Sequence, residues 1–197
     1  MCGKGDTLGT TRPLRADAER SVRSILEAAE RVLSVNPGAS MEQIAEAAGV
    51  ARTTVHRRFA NRQALVEAMT ADVVRQLDEV MDAGRPETAP PLVALHEITA
   101  NVLRVKIGWP FAMGLVFTGA DSPAAEGKRR VDDRCLLLLR RARADGLIDA
   151  SADLDWVRRV FYALIGEAVH GPDSDLEPDA LAQRVVDTLL HGASPRG

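Results

Sequence analysis

The chain has 197 residues, of which 46% are hydrophobic and 27% are charged, with a formal net charge of −3. This composition supplies enough apolar side chains for a buried core and excludes a disordered or fibrous protein. Two Trp, one Tyr and four Phe are too few aromatic residues for a typical β-sandwich or β-barrel, so an all-α fold is predicted.

Two patterns bear on the compartment. The longest charge-free stretch, residues 107–120, is interrupted by glycine and proline and is too short to span a bilayer. The first twenty residues carry several charges and no apolar segment of the kind that directs secretion. We therefore expect a cytoplasmic protein with no membrane contact.

Positive charge is concentrated in the first third of the chain. Residues 1–70 contain ten Lys and Arg against eight Asp and Glu, whereas residues 71–197 contain 15 against 20. The twenty residues 47–66 carry four arginines and no acidic residue. A local cationic patch of this kind is typical of a surface that contacts nucleic acid phosphates.

The N-terminal pattern predicts an arm followed by a helix. Residues 1–16 are rich in glycine and threonine, show no periodicity and are expected to form a flexible arm. From Asp17 onward, apolar residues recur at the spacing of one helical face until Asn36, Pro37 and Gly38 end the helix.

Two short helices are predicted next. Ser40 and Gln43 match a capping box, in which the two side chains satisfy each other's unpaired backbone donors at the start of a helix. Gly49 ends that helix, because glycine adopts a left-handed turn at little cost, and a second short helix follows over residues 51–58. Asn61 can then cap a fourth, longer helix that closes at Gly84.

The remainder of the chain predicts five further helices. Proline or aspartate marks several of their starts and glycine several of their ends. The predicted ranges are 91–108, 110–118, 123–145, 153–170 and 178–191.

Two short helices joined by a tight turn beside an acid-free arginine cluster are typical of a helix-turn-helix, whose second helix enters the DNA major groove. Small Ala45 and Ala48 would let the helices cross closely, and Gly49 would form the turn. The alternative interpretation is an ordinary solvated helical hairpin.

The segment around this motif resembles the TetR (tetracycline-repressor) family of transcriptional regulators. The matching positions are Ile44-Ala45, Ala48-Gly49-Val50, Phe59, Arg62 and Leu65, and the likeness is specific over residues 18–70. Ala51, Thr53 and His56 depart from the residues common in the family, and His56 stands where a tyrosine phosphate anchor is usual.

The resemblance implies a role for each polar residue of the second helix. Phosphate contacts would fall on Thr54, His56, Arg58 and Arg62, and base contacts on Arg52, Thr53 and Arg57. It also implies a homodimer bound to double-stranded, palindromic operator DNA and released by an unidentified small-molecule effector. The expected domains are a helix-turn-helix domain over 17–63, a ligand-binding and dimerisation domain over 64–192, and a tail over 193–197.

If the C-terminal bundle follows the family, nine residues would converge on a ligand pocket, although each could equally belong to the core. They are His96, Thr99, Trp109, Phe111, Met113, Phe117, Cys135, Leu139 and Tyr162. The last two helices have wide apolar faces, which suit a two-fold four-helix interface. These faces comprise Leu154, Val157, Val160, Phe161, Leu164, Ile165, Ala168, Leu181, Val185, Val186, Leu189 and Leu190.

No catalytic motif is present in the sequence, and Asp132 and Asp133 are interpreted as an exposed pair. Cys2 and Cys135 fit no metal-binding or redox spacing, so neither a metal nor a cofactor is expected. A DNA-binding regulator is the favoured function. The alternatives are a helical small-molecule-binding protein whose motif no longer binds DNA and, more remotely, an enzyme.

Overall fold

The computed structural model describes residues 11–118, 124–170 and 176–193. These residues form nine α-helices and no strand, so the predicted all-α fold is confirmed. The helices are α1 (Thr11–Val35), α2 (Met41–Ala47), α3 (Arg52–Arg58), α4 (Arg62–Gly84), α5 (Pro91–Gly108), α6 (Pro110–Thr118), α7 (Ala124–Ala144), α8 (Leu154–His170) and α9 (Pro178–Ala193). No described helix is both long and apolar enough to cross a membrane.

Helix α1 begins six residues earlier than the sequence pattern predicts. The predicted arm over residues 1–16 therefore overlaps the helix, since residues 11–16 are helical, while residues 1–10 lie outside the described part of the chain. Pro13 falls in the first turn of the helix, where its missing N–H has no intrahelical partner to lose. The helix can therefore extend through a proline that the sequence pattern assigns to the arm.

The chain divides into two compact units between Met69 and Thr70, and α4 runs through the boundary. The first unit packs α1, α2, α3 and the start of α4 around a small apolar core. That core includes Ile25, Leu33, Ile44, Val55, Phe59 and Leu65, each buried.

The second unit holds the rest of α4 with α5–α9, and it has two close helix approaches. A Cβ added at Gly127 on α7 would lie 2.1 Å from Val74 Cγ1 on α4. A Cβ added at Gly84 would lie 2.2 Å from Ile98 Cγ1 on α5. Glycine is therefore required at both positions for α4 to pack this closely against its neighbours.

The apolar face of α9, which the sequence analysis assigns to an interface with a second chain, is buried within its own chain. Its apolar face packs within the same chain, chiefly against α5 and α8, rather than being left for a second chain. The residues so buried are Leu181, Val185, Val186 and Leu189 on α9, and Leu154, Val157, Phe161 and Ile165 on α8. The expectation that both apolar faces are left for a second chain is therefore wrong for most of their residues. Helix α5 packs against these faces, and the apolar spacing of α8 and α9 alone does not predict that contact.

A narrower apolar strip stays accessible on α8. It consists of Trp156, which is 58% exposed, with the half-buried Val160 and Leu164. These three side chains line a groove together with Thr188 and Gly192 of α9.

Candidate nucleic-acid interface and cavity

The turn between α2 and α3 forms as the sequence pattern predicts. Ser40 Oγ accepts from the backbone N–H of Gln43, and the Gln43 side chain accepts from the Ser40 N–H, which completes the capping box. Gly49 has φ +66°, a left-handed conformation that glycine adopts without strain. Its N–H donates to Glu46 O and the N–H of Val50 donates to Ala45 O, which ends α2 and redirects the chain into α3.

Helix α3 has one buried side chain, Val55, which anchors it to the core of the first unit. Its other residues are accessible, and all of them are among the predicted DNA contacts. Arg52, Thr53, His56, Arg57 and Arg58 are exposed and Thr54 is half-buried. The seventh predicted contact, Arg62, is half-buried at the first position of α4.

Arg52 is held by its neighbours in the free protein. Its guanidinium forms a 2.7 Å ion pair with Glu42 on α2, and its Nε donates to His56 Nε2 at 3.4 Å. The carboxylate of Glu42 accepts hydrogen bonds from its own backbone N–H and from Ser40, and these bonds, with the nearby Arg52 charge, hold the pKa of Glu42 below its usual value. Glu42 is therefore ionised at neutral pH and available to Arg52.

Arg57 and Arg58 differ from Arg52. Within the described part of the chain, neither side chain has an ion-pair or hydrogen-bond partner, and both are exposed. Two adjacent arginines on a short helix project about 100° apart around its axis. They therefore present cationic groups in two directions from the same surface.

Arg62 has a structural role that the sequence pattern did not reveal. Its Nη1 donates to Ala39 O at 2.7 Å, and its Nη2 donates to Pro37 O. The expectation that Arg62 meets only a phosphate is therefore incomplete, since this side chain fastens the loop between α1 and α2 to the start of α4. A guanidinium has five N–H donors, so three remain for another acceptor.

We expect Arg62→Ala to lower the free energy of unfolding by about 1–3 kcal/mol, because two loop carbonyls lose a charged donor and one of them belongs to the buried Ala39. Arg58→Ala is the matched control, and its effect should stay within about 0.5 kcal/mol because the side chain is exposed. Urea denaturation followed by circular dichroism measures both. Equal stability of Arg62→Ala and Arg58→Ala would contradict the structural role of Arg62.

The second unit contains a cavity of about 320 Å³ walled by α4–α8. Its lining is almost entirely apolar, with Leu77, Met81, Ile98, Phe161 and Ile165 among the larger side chains. Cavities of this size and character commonly accept a small organic molecule.

Three of the nine predicted pocket residues, Met113, Cys135 and Tyr162, line this cavity. Thr99 is fully buried and donates to Leu95 O at 2.6 Å, Leu139 is fully buried elsewhere, and His96 lies in a separate groove beside α9. Trp109 and Phe111 are half-buried away from the cavity, and the side chain of Phe117 lies outside the described residues. The sequence could not distinguish residues that line the cavity from residues of the core or the groove, because all of them lie on apolar stretches of the same helical bundle.

Lys106 was missed by the sequence reasoning, although a signal for it exists. Ile98, Val102 and Lys106 follow one another at four-residue spacing on α5, and all three line the cavity. A lysine that continues an otherwise apolar helical face is the pattern that could have identified it.

A polar cluster behind the cavity wall centres on Asp132. Its Oδ1 accepts from the Tyr162 hydroxyl at 2.9 Å and lies 3.3 Å from Arg158 Nη1, while its Oδ2 accepts from Lys128 at 2.7 Å. The interpretation of Asp132 as part of an exposed pair is therefore wrong, because α8 covers it, whereas Asp133 is exposed.

Two of the polar groups that line the cavity, Cys135 and Tyr162, are neutral at physiological pH. Burial raises the pKa of the Cys135 thiol to about 12. Burial, together with the neighbouring Cys135 and Asp132, also raises the pKa of the Tyr162 hydroxyl. Among the described residues no group of three His, Cys, Asp or Glu could hold a metal ion.

Comparison with known proteins agrees with this organisation. The model for bacterial regulatory proteins of the tetR family matches residues 25–69, which include α2, α3 and the turn between them. The HTH-type transcriptional repressor LfrR of Mycolicibacterium smegmatis is 27% identical over 177 residues, spanning 88% of this chain and 90% of LfrR.

Solved structures match most of the length of the chain. A crystal structure of the TetR-like regulator LfrR from Mycobacterium smegmatis in complex with proflavine aligns with a TM-score of 0.66 at 26% identity, over 90% of this chain and 99% of that one. The TetR family regulator PfmR from Thermus thermophilus shares the fold, with a TM-score of 0.71 at 18% identity, over 85% and 97% of the two chains.

A helix-turn-helix with an arginine-bearing second helix, linked along the chain to a helical unit with an apolar cavity, defines a DNA-binding transcriptional regulator rather than an enzyme. The helix-turn-helix of the chain matches the model of the bacterial tetR regulatory family, and the chain resembles TetR-family regulators over most of its length. The resemblance predicted from the helix-turn-helix residues is confirmed.

Proposed function

We propose that the protein is a homodimeric repressor that binds a palindromic operator and is released from it by a small molecule. The observation that carries the proposal is α3, a helix anchored by Val55 alone, with Arg57 and Arg58 exposed and unpaired among the described residues. A repressor that binds the operator acts where the DNA is, so we place it in the cytoplasm.

On the operator, α3 enters the major groove with its first residues toward the base edges. Arg52, Thr53 and Arg57 then read bases, and Thr54, His56, Arg58 and Arg62 contact phosphates. Arg52 reaches a base only after it leaves Glu42, whereas Arg57 is already free of such a pair. Arg57 is therefore the better candidate for sequence reading.

Helix α4 supports the proposed link between ligand and operator. It is one continuous helix from Arg62, which fastens the α1–α2 loop, to Leu77 and Met81, which line the cavity. A ligand that displaces the cavity end of α4 would change the spacing of the two α3 helices of a dimer, which must be about 34–36 Å or a multiple to match successive major-groove faces. Release requires the ligand to bind the released arrangement more tightly.

The related repressor LfrR supports both parts of this proposal. It is named a transcriptional repressor, and its crystal structure contains proflavine. These two properties of LfrR, repression and the binding of a small organic molecule, are the properties that we propose for this chain.

The apolar strip of Trp156, Val160 and Leu164 supports dimerisation. An exposed tryptophan next to two half-buried aliphatic side chains is uncommon on a monomer surface and is typical of the centre of an interface. We propose a second copy of the chain as its occupant, with α8 and α9 of each copy forming the contact.

A gel-shift titration with the DNA upstream of the chain's own coding sequence tests operator binding. We expect a complex that survives an excess of random DNA, whereas the lack of a complex on any DNA would instead indicate a small-molecule-binding protein whose motif no longer binds DNA. Sedimentation equilibrium at micromolar concentration tests the dimer. A clean species at the 21.2 kDa of one chain would contradict it.

A further inference from the structure

Among the described residues that line the cavity, Lys106 is the one that carries a formal charge at neutral pH. The other lining residues are apolar, apart from Cys135 and Tyr162, which stay neutral. Lys106 is half-buried, and this burial lowers the pKa of its ammonium group because desolvation disfavours the charged form.

No carboxylate compensates this charge. Within the described part of the chain Lys106 has no ion-pair partner. The carboxylate that accepts from the lining residue Tyr162, Asp132, is bound on one oxygen by Lys128 and on the other by Tyr162 and Arg158. A half-buried ammonium without an acidic partner is costly unless an anion reaches it.

We propose that the cavity takes an apolar anion, a molecule with a hydrocarbon or aromatic body and a single acid group, and that Lys106 binds the acid group. This inference rests on the proposed function, since it names the chemical class of the releasing ligand. The apolar body lies against Met81, Ile98 and Phe161, and the acid group meets the ammonium at the end of the Ile98, Val102 and Lys106 row.

The volume sets the size of the probe. A cavity of about 320 Å³ equals the liquid volume of roughly ten water molecules, so a body of roughly ten to twelve non-hydrogen atoms fills it. Decanoate, decan-1-ol and decylamine have this size and share one hydrocarbon chain, while their head groups are anionic, neutral and cationic at neutral pH.

Isothermal titration calorimetry of the full chain with these three probes tests the proposal. Decanoate should bind at least about tenfold more tightly than decan-1-ol, because a charge-assisted hydrogen bond exceeds a neutral one by about this factor. Decylamine should bind most weakly, since its ammonium would face that of Lys106.

Three variants assign the preference to Lys106. Lys106→Met keeps an unbranched apolar stem without the charge, so the affinities for decanoate and decan-1-ol should converge. Lys106→Glu should reverse the order and favour decylamine. Arg140→Met removes one positive charge from an exposed position of α7 outside the cavity and should leave the preference for decanoate unchanged.

Equal binding of decanoate and decan-1-ol by the unmodified chain would overturn the proposal. So would tighter binding of decylamine or of proflavine, a cationic dye, than of decanoate, or a preference for decanoate that persists in Lys106→Met. A gel shift with decanoate present distinguishes the two proposals. If decanoate bound in a Lys106-dependent way but operator affinity stayed unchanged, the proposed release of the repressor by its ligand would be contradicted. The proposed apolar-anion site would not be.

Discussion

Asp132→Ala is expected to lower the free energy of unfolding by roughly 3–5 kcal/mol, the usual cost of removing one partner from a buried charge cluster. The side chains of Asp132 and Arg158 are each only 17% exposed, so water screens their interaction weakly. Without the carboxylate, the guanidinium of Arg158 and the ammonium of Lys128 lose the negative charge that they share, and the Tyr162 hydroxyl loses its hydrogen bond to Asp132. Arg158 Nε is already buried without a hydrogen-bond partner among the described residues.

The neighbouring residue supplies the control for this prediction. Asp133→Ala removes the same charge from an exposed position of the same helix and should change stability by no more than about 0.5 kcal/mol. Asp132→Asn keeps an acceptor for Tyr162 and should fall between the two. Urea denaturation monitored by circular dichroism gives all three values, and similar losses for Asp132→Ala and Asp133→Ala would show that the cluster does not stabilise the fold.

Arg57→Ala is expected to lose about 1–3 kcal/mol on the operator and to relax the preference at one base pair, with little change on random DNA. The reason is that a bidentate arginine contact to a base edge discriminates between sequences, whereas a phosphate contact does not. Quantitative gel shifts on the operator, on single-base operator variants and on random DNA measure the effect.

Arg58→Ala is the matched comparison, because Arg58 is adjacent, equally exposed and equally unpaired in the described structure. We expect it to weaken binding to operator and random DNA alike and to lower the salt slope by about one. If the two variants lost the same affinity on both DNAs, Arg57 would not be a base-reading residue. If neither lost any, α3 would not be the DNA-binding helix.

The order and limits of the helices were largely predictable because they depend on local chemistry. The Ser40 and Gln43 capping box forms as expected, Gly49 adopts the left-handed turn, and Pro91 begins α5. Each of these signals acts within a few residues of where it stands. These signals can therefore be read from the sequence without knowledge of the tertiary packing.

The site was less predictable because its geometry depends on contacts between distant segments. The bonds from Arg62 to Pro37 and Ala39 join residues 25 and 23 positions apart, and no local pattern signals them. The cavity likewise depends on which face of α5 turns inward. Lys106 lines it and His96 does not, although both lie on the same helix.

Because the apolar face of α9 is buried inside its own chain, one chain can complete its core and fold without a partner. An obligate dimer often has no stable folded monomer, because its core is completed only by the partner. Here Leu181, Val186 and Leu189 are already covered by the chain's own helices. Dilution of the proposed dimer should therefore release intact, helical subunits, and the concentration at which it dissociates should depend on the small surface around Trp156 rather than on the stability of the bundle.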